Sequence, residues 1–71
     1  MNLELLNEVD AAIRDALSGI ERQRAFVEEF SARRHDVRHA LSLLSSLLMN
    51  LKRLERQRRE LAAEVQGVVA I

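Results

Sequence analysis

From Asp36 to about Val68 the apolar residues fall at Val37, Ala40, Leu44, Leu47, Leu51, Leu54, Leu61, Val65 and Val68. These are alternating steps of three and four. Such spacing returns a side chain to one face of a helix at every step, so the stretch predicts a helix packed along its whole length against another. Arg58 alone interrupts the stripe. Proline is absent and the only glycines are Gly19 and Gly67, so nothing obliges this helix to break.

A partner for it lies upstream. Asn2 is a candidate N-cap, with Glu4 and Glu8 near the positive end of the helix dipole. One seam on the first helix is Leu3, Leu6, Ile13, Leu17, Ile20 and Val27, with Asp10 and Arg24 as polar members. A second is Leu5, Val9, Ala12, Ala16, Gly19, Phe26 and Phe30, broken by Gln23. Two seams predict two neighbours, and the small middle of the second would let another backbone approach closely. The alternative is one wide stripe under a single partner helix.

The break between the helices falls in Ser31-Ala32-Arg33-Arg34-His35-Asp36. No glycine is there to take a left-handed C-cap. Asp36 is the best N-cap for the second helix. The predicted order is therefore helix 3–31, turn 32–36 and helix 37–68, within one domain spanning 1–71. A single unbroken helix in a long coiled coil is the other reading, but it would put Ser31 and Arg34 in core positions in succession. A turn near Arg34 sets Val27 near Leu41, Ile20 near Leu48 and Leu6 near Leu61. It also sets Asp10 beside Arg58, so that the two charged interruptions meet.

At 71 residues without cysteine, neither disulfides nor thiolate metal sites can brace so small a core. Self-association is the brace that remains. Leu41, Leu43, Leu48 and Met49 lie off the main seam of the second helix, so that from Ala40 to Leu51 it is apolar nearly all round except for serines. One partner helix cannot cover that surface, whereas pairing two hairpins into a four-helix bundle would. The residues expected to carry self-association are Leu5, Val9, Ala12, Ala16 and Phe26, with Leu41, Leu44 and Leu48.

Charge narrows the function classes. The formal net charge is zero, which argues against an electrostatically driven nucleic-acid binder. It is unevenly placed: residues 1–31 carry seven acids against three arginines, and residues 32–71 eight bases against four acids. An acidic helix facing a basic one is the simplest reading. The basic run Lys52, Arg53, Arg56, Arg58, Arg59 could follow a phosphate backbone, with Arg53, Arg56 and Arg59 as the contacts of a small dimeric nucleic-acid-binding regulator. Glu55, Glu60 and Glu64 interleave with it as on an ordinary solvated face.

His35-Asp36-Val37-Arg38-His39 reads H-D-x-x-H. The zinc-protease form needs both histidines one turn apart on a helix with glutamate between them. With Asp36 as a cap, His35 falls outside the helix and that geometry fails. No glycine-rich phosphate loop, no serine with a base at a sensible spacing and no carboxylate pair is present. The expectation is a non-enzymatic chain with no catalytic residues, cofactor or metal. The acidic N-terminus is unlike the basic start of a signal peptide, and the longest apolar-rich run is about 12 residues where a membrane span needs about 20. The chain is expected to be cytoplasmic and to have no membrane partner. The apolar end Val68-Val69-Ala70-Ile71 reads as a packed or frayed helix end, or else as a tail recognised by a partner or a protease.

Glu21-Arg22-Gln23-Arg24, then His35-Asp36, Ala40, Leu43-Leu44 and Leu47 resemble the pattern R-Q-R … H-D … A-x-x-L-L of a group of short bacterial helical-hairpin proteins. The match spans about residues 20–51 and departs where the usual glycine before His-Asp is Arg34. The resemblance implies a hairpin and carries no activity with it. The whole reading is an all-α antiparallel hairpin, dimerising into a four-helix bundle. Its expected role is a protein–protein interaction module, either a self-assembling adaptor or a small chaperone-like partner of another helical protein.

Overall fold

The computed structural model describes residues 3–66, and of Gln66 the backbone alone. Helix α1 runs Leu3–Ala32 and α2 runs Arg38–Gln66. They pack against each other as an antiparallel hairpin, each about 45 Å long at 1.5 Å per residue. Among the described residues no helix is long and apolar enough to cross a membrane. The expected end of α2 at Val68, the C-terminal apolar run and the Asn2 cap lie outside the described residues.

The α2 stripe turns to α1 as its spacing predicts over Val37, Ala40, Leu44, Leu47, Leu51, Leu54 and Leu61, which are sheltered, whereas Val65, expected on the same stripe, is exposed near the open end. On α1 the outcome differs from either predicted seam. The sheltered stripe is Leu6, Val9, Ile13, Ala16, Ile20, Gln23, Val27 and Phe30, which alternates between the two. Leu3, Leu17, Leu5 and Phe26 stay exposed on its two sides. The reason is electrostatic. A stripe through Leu3 would carry Asp10 and Arg24 into the interface, where an unpaired charge is very costly. The observed stripe takes Val9 and Gln23 instead. Gln23 fits because its Nε2 donates to the Ala40 carbonyl at 2.9 Å, crossing from one helix to the other.

Among the described residues the buried side chains are Val9, Ile20 and Ala40, at 7, 5 and 8% exposed. Two helices can bury one stripe each and no more, so the core is a single line of side chains.

Residues 33–37 make the turn. Arg34 adopts φ 63°, a left-handed conformation that usually falls to glycine. The Arg34 N–H donates to the Ser31 carbonyl at 2.9 Å and the His35 N–H to the Phe30 carbonyl at 3.0 Å. These are the two bonds of a Schellman cap, here built around an arginine. The apolar contact that accompanies such a cap is present too, with the Phe30 and His35 rings 5.4 Å apart. The lack of a glycine therefore did not prevent the left-handed C-cap; ring contact and backbone bonds offset the strain. Asp36 then starts α2, its Oδ1 accepting from the Arg38 N–H at 3.0 Å.

At the other end Asp10 and Arg58, the charged members of their rows, form an ion pair across the helices at 2.5 Å. Their side chains are 33 and 45% exposed, so the pair adds at most about 1 kcal/mol. Its larger effect is on register, because sliding α2 by one heptad would separate the two charges.

Candidate interaction surface

The residues named from sequence as carrying self-association divide into two groups. Val9, Ala16 and Leu44 sit in the hairpin's own seam, with Val9 among the most buried side chains of the chain. Leu5, Phe26, Leu41 and Leu48 are exposed, and Ala12 is half-buried beside the seam.

The exposed group lies on both sides of the seam. Leu5, Ala12, Gly19 and Phe26 follow one another at seven-residue steps along one flank of α1. A Cβ built on Gly19 would meet nothing nearer than the end of the Arg22 side chain at 3.8 Å, so within the chain that glycine is not required by packing. Phe26 stacks on Phe30 with ring centroids 4.3 Å apart, extending the turn's aromatic cluster outward. On the opposite flank Leu17 of α1 and Leu48 and Leu51 of α2 line one open concavity, together with Arg14, Glu21 and Arg24. Leu41 lies one heptad before Leu48 on α2. The sequence alone did not separate the two flanks, because the choice depends on which of the apolar rows of α1 the hairpin itself uses.

Arg53, Arg56 and Arg59 are exposed on α2, Arg53 and Arg56 on its outer face and Arg59 in line with Leu41 on the flank. Arg53 donates to the Asn50 side-chain oxygen at 2.7 Å, and Arg53 and Arg56 share a shallow surface depression with Ser46, Met49 and Asn50.

In the H-D-x-x-H stretch, His35 precedes α2 and packs on Phe30, while His39 lies in the first turn of α2. Asp36 is committed to the cap and to the Arg38 guanidinium, with contacts of 2.6 and 3.1 Å. These bonds, the side-chain one first and the backbone one next, hold the Asp36 carboxyl below its ordinary range. Among the described residues no three His, Cys, Asp or Glu side chains are grouped to hold a metal ion.

Comparisons with protein-family models, curated proteins and solved structures find no match to this chain.

Proposed function

We propose that this hairpin is a protein–protein interaction module that completes a four-helix bundle by associating with a second helical hairpin, without catalysis. The observation that carries this reading is the amount of large apolar side chain left outside the seam. Leu3, Leu5, Leu17, Phe26, Leu41, Leu43, Leu48, Met49 and Val65 are all exposed on a chain of 71 residues. Single exposed leucines are ordinary, but rows of them along both edges of a two-helix seam mark a surface that works covered.

Sedimentation equilibrium over a wide concentration range tests it. The expected result is a dimer whose mass falls to that of the monomer when Leu48 becomes Asp. Leu48 is 37% exposed in the single hairpin. Its change should therefore act on association far more than on the hairpin's own helix content, since a charge is costly only where a partner would bury it. A wild-type chain that stays monomeric at all concentrations, or a Leu48→Asp variant of unchanged mass, would sink the reading. Steeply salt-sensitive binding of RNA or DNA, lost on changing Arg53, Arg56 and Arg59, would instead favour the nucleic-acid alternative.

A further inference from the structure

The flank that carries Leu17 has a charge pattern that complements itself. Outward from Leu17 along this side of α1, Arg14 stands three residues before and Glu21 four after, while Asp10 stands seven before and Arg24 seven after. The signs invert through Leu17: minus, plus, leucine, minus, plus. Among the described residues, Arg14, Glu21 and Arg24 form no ion pair and no hydrogen bond within the chain, although Asp10 stands one turn from Arg14 and Glu28 one turn from Arg24. Asp10 Oδ1 accepts from the Arg58 Nε–H, and its Oδ2 takes no part in that bond.

A two-fold axis perpendicular to α1 at Leu17 places residue 17 + n of one copy opposite residue 17 − n of the other. Asp10 then meets Arg24 of the second copy. Arg14 meets Glu21, with an offset of one residue, about 1.5 Å along the helix. Leu17 meets itself, and Leu48, lining the same concavity, is covered with it. Each of the four charges appears twice in the dimer and faces its opposite both times.

The alternative two-fold, with both turns at one end, lays α1 on α2 of the second copy. At the level fixed by the Asp10–Arg58 pair, whose numbers sum to 68, Glu21 and Arg24 would then face residues 44–47, which carry no charge, so two of the four charges would be left without partners.

Resting on the reading that the hairpin self-associates, we propose that its partner is a second copy of this chain, docked antiparallel through the Leu17 flank with the two turns at opposite ends. The interface is isologous, as a closed dimer requires. The leucines supply the covered area, and the charge pattern selects orientation and register.

The test uses charge reversal, read as the dimer dissociation constant at low salt. Arg14→Glu alone and Glu21→Arg alone should each weaken the dimer about tenfold or more, since each replaces two attractions with two repulsions. Arg14→Glu with Glu21→Arg should restore it. Positions 14 and 21 lie about 10 Å apart along one helix and do not touch within the chain, so rescue reports contact between copies. Because the chain has no cysteine, Leu17→Cys gives a single thiol at the axis. Mild oxidation should link it into a covalent dimer, whereas Met49→Cys, on the outer face of α2 and 66% exposed, should stay unlinked. Gly19→Ala, on the opposite flank, should leave dimerisation unchanged.

If the wild type dimerises but the double reversal fails to rescue, or Leu17→Cys does not link, this interface is wrong and self-association stands. If Gly19→Ala weakens the dimer while Arg14→Glu does not, the second copy sits on the other flank and the proposal is overturned. A wild type that never dimerises overturns both readings.

Discussion

At the turn, residues 33–37 fix the relation of α1 to α2 through the backbone. The Schellman bonds close α1, Asp36 opens α2, and Gln23 reaches the Ala40 carbonyl one turn further along. Ile20 and Ala40, two of the three buried residues among those described, lie in this half. At the open end nothing covalent joins the helices, and a polar pair, Asp10 with Arg58, crosses between them. Where connectivity and caps set register, the outward side chains can be apolar, and here they are: Leu17, Phe26, Leu41, Leu43, Leu48 and Met49. Where side chains must set register, the seam takes charges, and the α2 positions beside it include Glu55, Gln57 and Glu64 as well as Ala62 and Val65. The difference teaches that one hairpin divides two tasks along its length. The turn half offers the larger apolar surface, and the open half keeps the alignment.

The most severe way to break that division is to empty the turn-side core. Ile20→Ala should cost about 2–4 kcal/mol in urea unfolding followed by circular dichroism, a large share of what a domain this small can hold. Leu6→Ala, in the less buried open half, should cost visibly less. Equal costs would show that the core is uniform along the hairpin and that the contrast fails. Arg34→Gly acts in the opposite direction. Removing a Cβ from a left-handed position relieves about 1 kcal/mol, so midpoint denaturant should rise with unchanged slope. A drop would mean that the Arg34 side chain contributes more than its backbone strain costs.

How far the fold could be read in advance follows from where charges fall. The α2 stripe was legible from Val37 to Leu61, because one charge alone, Arg58, lies on it, but not at Val65, which is exposed. The pairing of Arg58 with Asp10 was legible too, since both interrupt their rows at matching distances from the turn. The α1 stripe was not, because three apolar rows, starting at Leu3, Leu5 and Leu6, all keep a three-four rhythm. The choice among them depends on burying Gln23, and periodicity holds no signal that its amide will find the Ala40 carbonyl. Dividing the sheltered stripe between two rows sent Val9 and Ala16 to a surface for a second neighbour when they line the hairpin; Leu44, named both for the α2 stripe and for self-association, lies in the stripe. The arginine-centred cap was hidden for a similar reason: sequence rules look for glycine, whereas the Phe30–His35 contact that supports the turn depends on three-dimensional placement. The residues behind the resemblance have structural tasks here as well. Gln23 bridges, Asp36 caps, and Ala40, Leu44 and Leu47 fill the seam.

A smaller effect is expected at the open end. Asp10→Ala and Arg58→Ala, singly and together, should give a coupling of about 0.5 kcal/mol in a double-mutant cycle, because both side chains reach solvent. The sharper readout is register. Spin labels at Leu6 and Leu61 should report one distance in the wild type and a broadened distribution in Asp10→Ala, since the apolar seam alone tolerates sliding. A single unbroadened distance would mean that the turn sets register over the full length, and the division of tasks would reduce to one.

The smallest effect is read in acid. The Arg38 guanidinium first, and the Arg38 N–H next, favour the charged form of Asp36, so its carboxyl loses its proton more readily folded than unfolded. A group shifted in this direction adds stability that is complete above the unfolded pKa, about 3.9, and is lost as pH falls through the folded value. Asp36→Asn keeps the capping oxygen but loses the charge, so neutral-pH stability should fall slightly, by the part that the Arg38 guanidinium adds. It should also flatten the part of the acid-side loss of α2 helicity that Asp36 causes. Circular dichroism of both proteins from pH 7 to pH 2 measures this directly. Profiles that fall in parallel would show that the turn's cap works through its geometry alone, and that its charge contributes nothing to holding the turn half together.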